Sequence, residues 1–432
     1  MARKMKDSGI EWIGEIPEGW SKNKVIRLFD IIGSGTTPKN ITSDFPVVNW
    51  IQSGDITGSF VSACKNVISA NLLSQYSALK VYPAPFIIIA MYGASVGNAS
   101  ISLIDGCVNQ ACCVLSSPSC NLHYAFYVIK SAQSYLVRKA VGGGQPNISQ
   151  ETIKQLWLPL PPLSTQDIIV RNLDATCSKI DDLLTSVHAS IEEYKKLKQA
   201  VITQVVTKGM RGEREMKDSG VEWIGEIPAE WSITKIKSGV TKIGSGKTPS
   251  GGAETYTDSG VIFLRSQNIY DCTLNLESPT YISPEVDATM KSTRVLPDDV
   301  LLNITGGSIG RCSIVPKTLG LANVNQHVCI IRTNPLIFLP KYMQYFWVST
   351  LGHLAIDLYQ TGGNREGMSA DAIRNTPIPY APLNEQKEIA DYLDAKCAEI
   401  DKLIAKKEQL VKELESYKKS LIYEVVTGKR EV

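Results

Sequence analysis

The sequence predicts an α+β protein: two mixed α/β domains joined by two long antiparallel coiled-coil helices, with a pseudo-twofold internal repeat. Three observations predict it. The 432-residue chain is too long for one ordinary hydrophobic core. The string "MKDSGIEWIGEIPEGWS" at 5–21 returns as "MKDSGVEWIGEIPAEWS" at 216–232. Each half then ends in a stretch free of proline and glycine, 166–207 and 386–427, with apolar residues at threes and fours. That is the period of a long helix.

The repeat continues in order along the chain. "GSGTTP" (33–38) returns as "GSGKTP" (244–249), and "WIQSGDI" (50–56) as "FLRSQNI" (263–269). "YGASVGNASI" (92–101) matches "TGGSIGRCSI" (305–314), and "VNQACCVL" (108–115) matches "VNQHVCII" (324–331). "LPLPPLSTQ" (158–166) pairs with "IPYAPLNEQ" (378–386), and "QVVTKG" (204–209) with "EVVTGK" (424–429). Kept order over a period this long means two copies of a domain rather than a solenoid. The expected boundaries are 1–162 for the first domain with its N-terminal framework segment, 163–209 for the first long helix, 210–382 for the second domain and 383–428 for the second long helix.

Within each domain, short apolar runs such as "PFIIIAMYG" and "VLLNITGG" are bounded by Gly and Pro and predict strands. Helices are expected at 121–141 and 340–359. Each long stripe, at about 1.5 Å per residue, makes a helix of roughly 60 Å. Its heptad-like seam comprises Leu173, Ile180, Leu183, Val187 and Ile191 in the first copy, and Leu393, Ile400, Leu403, Leu410 and Leu414 in the second. Charged residues fill the other faces, so the two stripes pair most simply with each other, antiparallel.

Composition removes several function classes. Hydrophobic residues are 43% and charged residues 20%, with net charge +2, which is ordinary for a soluble protein. No apolar run reaches the roughly 18 residues that cross a bilayer. "MARKMKDSG" has no apolar segment after its basic residues, so no signal peptide is evident and a cytoplasmic location is expected. The ten cysteines form no CxxC pair or zinc-spaced cluster, and read as reduced thiols. The near-neutral charge neither demands nor excludes nucleic acid, because binding depends on where the basic groups sit.

No catalytic set appears. "KIGSGKTP" fails as a P-loop: Thr241 stands where its first glycine belongs, and Pro249 follows where a helix should open. An amino-methyltransferase needs an Asn/Asp-Pro-Pro-aromatic tetrad, and "LPLPPLS" lacks the polar first residue. His123, His188, His327 and His353 share no motif. "VNQ" precedes an apolar strand in both copies, where amides typically satisfy backbone groups.

The candidate binding residues lie where the copies differ within a shared frame. "VGGGQPNISQETI" (141–153) and "TGGNREGMSADAI" (361–373) are Gly-rich loops entering a short helix, with Ser149 and Ser369 as N-caps. Gln145, Asn147, Asn364 and Arg365 project from loops whose glycines permit close backbone approach. Gln52 in one copy is Arg265 in the other, Gly54-Asp55 becomes Gln267-Asn268, and Asn98 becomes Arg311. Such side chains hydrogen-bond base edges, Arg to guanine and Asn or Gln to adenine. Lys139 is a candidate phosphate contact. A duplication that merely drifted gives the same pattern.

Each half opens with "WIGEIPxxW", carries an early "GSGxTP", and enters its helix through "PLPPLSTQ" or "PYAPLNEQ". Over essentially its whole length the chain resembles the specificity subunit of a type I restriction-modification system. The resemblance implies two target recognition domains, each reading half of a split double-stranded DNA sequence. It implies a coiled coil that spaces them and docks two methyltransferase subunits, with restriction/translocase subunits as further partners. The chain itself then holds no cofactor; S-adenosylmethionine, ATP and magnesium belong to the partner subunits. The alternative is a coiled-coil adaptor without DNA reading.

Overall fold

The computed structural model describes residues 3–39, 41, 43–142, 146–360 and 367–432. The chain divides into two compact units, Met1–Val187 with Gln409–Val432, and His188–Glu408. The division does not follow the linear order of domain and helix. Each unit holds one α/β domain, the start of that domain's own long helix and the end of the other.

In the first unit the framework string forms an antiparallel hairpin, Met5–Ile10 with Gly14–Pro17. It buries Trp12, Ile13, Ile16 and Trp20. A five-stranded sheet follows in the order Ile31–Ser34, Cys112–Ser116, Phe86–Ala90, Ala99–Ser102, Phe60–Val61. Its central strand is apolar throughout because both faces are covered. Ile87 and Ile89 enter the core shared with the helices, whereas Phe86, Ile88 and Ala90 enter a second core. Truncating fully buried Ile88 to Ala should therefore cost about 2–5 kcal/mol. A smaller sheet sets Val47–Ile51 between Cys107–Val108, parallel, and Val67–Ser69, antiparallel. Ser21–Lys24 pairs with Trp157–Leu160 and closes the neck of the domain.

The second unit repeats this plan. Val240–Ser245, Val328–Thr333, Val300–Asn303 and Cys312–Ile314 form one sheet. Val261–Leu264 runs parallel to Ala322–Val324 in another. The neck is Ser232–Lys235 with Pro377–Tyr380.

The long helices span Leu163–Lys208 and Leu383–Val426, 46 and 44 residues. Pro162 and Pro382 immediately precede them, where a missing N–H costs nothing. Gly209 and Gly428 follow their C-terminal ends with φ 70° and 73°, the left-handed conformation glycine favours there. One tyrosine in each domain grips two elements at once. The Tyr124 hydroxyl lies 2.9 Å from the Pro159 carbonyl and 3.2 Å from that of Val426. Tyr342 does the same with Pro379 at 2.9 Å and Val206 at 3.4 Å. Both helix ends that are gripped belong to the other copy.

Within each unit the helix segments run antiparallel. Leu173, Cys177 and Ile180 pack with Leu421, Ile422 and Val425 in the first; Ile202, Val205 and Val206 share a core with Ile389, Leu393 and Cys397 in the second. The same lysine–aspartate contact is made twice, Lys418–Asp181 at 2.5 Å and Lys198–Asp401 at 2.7 Å. The predicted seam needs correction at two positions. Leu183 is 53% exposed and Leu410 41% exposed. Their neighbours Leu184 and Val411 point inward instead. Leu173, Ile180, Ile191, Leu393 and Ile400 are buried; Val187, Leu403 and Leu414 are half-buried.

Candidate nucleic-acid interface

In each unit the repeated motifs converge where the parallel strand pair ends. Thr37 of "GSGTTP" donates to the Gln110 side chain of "VNQ" at 2.6 Å, and Thr248 donates equivalently to Gln326. The glycines of this loop serve close approach, not phosphate cradling. A Cβ on Gly35 would sit 1.6 Å from the Val108 carbonyl oxygen, and one on Gly246 2.0 Å from that of Val324. Asn109 and Asn325 use their side-chain oxygens on backbone N–H groups two residues on, at 3.1 and 3.2 Å. The "VNQ" motif is thus a clamp joining the "GSGxTP" loop to the sheet.

The turn after each paired strand carries the divergent residues. In the first unit, the Asp55 carboxylate accepts the Gln52 N–H at 2.8 Å and leaves the Gln52 amide half-buried at the surface. In the second, Asn268 takes the same place: it accepts the Arg265 N–H at 2.9 Å and donates to the Asn275 carbonyl at 3.0 Å. Asn268 is 5% exposed, so its amide is spent on its own turn and it is not available to a ligand, contrary to the sequence expectation. Gln267 beside it is exposed. Arg265 lies over the Tyr256 ring at 5.5 Å, and its buried Nε has no hydrogen-bond partner among the described residues. Arg311 lies over Tyr270 at 4.6 Å. Both guanidiniums lie over aromatic rings within cation–π distance, which limits the rotamer freedom lost on binding.

Asn98, the counterpart of Arg311, accepts from Gln133 at 2.5 Å, so one end of its amide is already engaged. The Gly-rich segment returns to this turn: Tyr92 and Val141 each bridge Asn147, and Asn147 is exposed. Gln145, Asn364 and Arg365 lie outside the described residues. Lys139 is exposed and paired with Glu11 at 3.5 Å. An exposed pair of this kind is weak.

His327 was not legible as a site residue. Its Nε2 lies 3.0 Å from Gln326 Nε2 and its Nδ1 2.6 Å from Thr305 Oγ1. A chain of hydrogen bonds therefore runs from Thr248 through Gln326 and His327 to Thr305, which bridges Gly367. The first unit has Ala111 and Tyr92 at the corresponding positions.

Among the described residues no cluster of His, Cys, Asp or Glu could hold a metal ion, and no helix is long and apolar enough to cross a membrane. Burial pushes the Cys112 and Cys113 thiols up to about 12, which makes them poor nucleophiles.

The sequence profile of the type I restriction modification DNA specificity domain matches residues 17–193 and again 228–413. The chain belongs to that family. The specificity subunit is a non-catalytic component of its system, and acts with DNA and the other restriction-modification subunits. The type I restriction enzyme MjaVIII specificity subunit of Methanocaldococcus jannaschii is 27% identical over 71% of this chain and 69% of its own length. The EcoBI specificity subunit of Escherichia coli is 24% identical over 81% of this chain and 75% of its own. In fold, the specificity subunit resembles a chain solved to describe complex assembly and conformational transition of the type I R-M system. The TM-score is 0.73 at 16% identity, covering 95% of this chain and 98% of that one.

Proposed function

We propose that each unit reads one half of a bipartite, asymmetric double-stranded DNA target. One observation carries this reading. The Thr–Gln clamp is made identically in both units, whereas the side chains it frames differ, Gln52 against Arg265 and Asn98 against Arg311. An amide exchanged for a guanidinium changes the preferred base from adenine towards guanine. The paired helices dock two methyltransferase subunits, and restriction/translocase subunits join the same assembly. S-adenosylmethionine, ATP and magnesium are held by those partners, and the complex works in the cytoplasm. Mapping methylated adenines in cells that express this chain with its methyltransferase tests the proposal. Two defined half-sites separated by a spacer of fixed length and free sequence are expected; one uninterrupted motif contradicts it.

A further inference from the structure

The duplication supplies an internal control for one cavity in the first unit. About 360 Å³ of space lies between the helix Leu122–Ser131 with its continuation and the long-helix segments. Lys130, Lys418 and Lys419 line it with Ser134, Asp181 and Glu415. Lys418 is already paired with Asp181. Lys130 is half-buried, and among the described residues no carboxylate lies within 4.0 Å of it. Its Nζ lies 3.5 Å from the Ser59 hydroxyl and 5.2 Å from the centre of the Phe126 ring. Burial, and then the charge of Lys418, hold this ammonium below the usual lysine range.

The second unit carries different side chains at these places. Six residues after the gripping tyrosine, Val348 stands in place of Lys130, and Leu351 in place of Gln133. Both are buried. Gln199 stands in place of Lys419 and donates to the Val348 carbonyl at 2.7 Å. Thr203 and Thr350 join by their hydroxyls at 3.0 Å. The first unit thus has two ammonium groups where the second has an apolar residue and an amide, and the exposed Glu415 where the second has Lys195, itself paired with Glu192 at 2.8 Å. A smaller cavity of about 150 Å³ shares Lys130 and Gln133 and reaches Asn98 on the divergent turn.

We propose that the cavity of the first unit is a phosphate site, with Lys130 and Lys419 as its counter-charges and the Ser134 hydroxyl as a donor. An anion there compensates a desolvated ammonium that has no carboxylate within 4.0 Å among the described residues. Lys130 and Gln133 also line the cavity that reaches Asn98, which makes a backbone phosphate beside the first half-site the fitting source; that part rests on the DNA-reading proposal. A free phosphate has the same chemistry.

The test uses the full chain with its methyltransferase subunits, as wild type, Lys130→Met and Lys419→Gln. Inorganic phosphate, against chloride at matched ionic strength, should raise the melting temperature of the wild type and not that of Lys130→Met. For DNA, the slope of log K against log salt should shallow by about one in Lys130→Met, with the methylated motif unchanged. A changed slope assigns the site to the DNA backbone. A lost phosphate shift with an unchanged slope assigns it to free phosphate, and this arm stands even if the DNA-reading proposal fails. Lys130→Met removes a desolvated charge and should fold; if it does not, Lys419→Gln carries both readouts. Unchanged slope and unchanged phosphate response in the folded variants overturn the proposal.

Discussion

Glu385 opens the second long helix and is 3% exposed. It accepts from Arg214 at 2.5 and 3.3 Å and from the Trp231 indole at 2.9 Å. Glu385→Ala should leave the Arg214 side chain, 9% exposed, with only the half-exposed Glu230, and orphan the indole N–H. Breaking a buried pair costs about 3–5 kcal/mol, and the remaining Glu230 puts this case at the lower end, about 3 kcal/mol. For a unit of this size that is roughly 6–12 °C in melting temperature. Calorimetry of the full chain should show the loss in the transition of the second unit alone. The first unit has Thr165 at the equivalent place, and Trp20 Nε1 has no partner among the described residues, so nothing comparable is lost there. The double variant Arg214→Met/Glu385→Leu should recover most of the stability. A shift of the single variant within about 1 °C of wild type refutes the reasoning that the buried charge is what Glu385 compensates.

The Arg294 guanidinium, hydrogen-bonded to Asp287, holds that carboxyl below the usual carboxylate range, and Asn323 adds a bond at 2.7 Å. Asp287 therefore contributes stability that is complete above that range and lost as pH falls through its depressed folded-state value; acid denaturation of Asp287→Asn should lack this component. Ile180→Asp or Leu393→Asp buries a charge and should cost several kcal/mol and release the methyltransferase in gel filtration, whereas Leu183→Asp, at an exposed position, should be tolerated. His327→Ala should loosen the Gln326 clamp and relax the second half-site only, as read by methylome sequencing. Arg265→Ala should cost roughly 1–3 kcal/mol at one base pair of that half-site, measured by DNA competition.

Much of this architecture was legible from repetition. A doubled string marks a doubled frame whatever the fold, and the "GSGxTP" and "VNQ" segments prove to be that frame, joined by one Thr–Gln hydrogen bond per unit. The phase of the helix seam was not fully legible. Leu183-Leu184 and Leu410-Val411 are adjacent apolar pairs, and an i, i+3, i+4 pattern admits either member; only the partner helix decides. Asn268 looked like a reader because Asn is a good base ligand, yet its place as third residue of a tight turn makes it the counterpart of Asp55. The exchange of helix ends between the copies leaves no local trace, since it rests on contacts such as Tyr124 to Val426 that are remote in sequence. The lysine cavity is likewise assembled from residues far apart along the chain.

If each unit reads its own half-site, the two halves read DNA independently. The neck pairings Ser21–Lys24 with Trp157–Leu160 mark where a domain can be exchanged with its frame intact. A chimera carrying 21–158 from a relative of different specificity, expressed with the methyltransferase, should methylate a motif whose first half-site is replaced and whose second half-site and spacer are unchanged. Both half-sites changing together, or neither changing, contradicts the account.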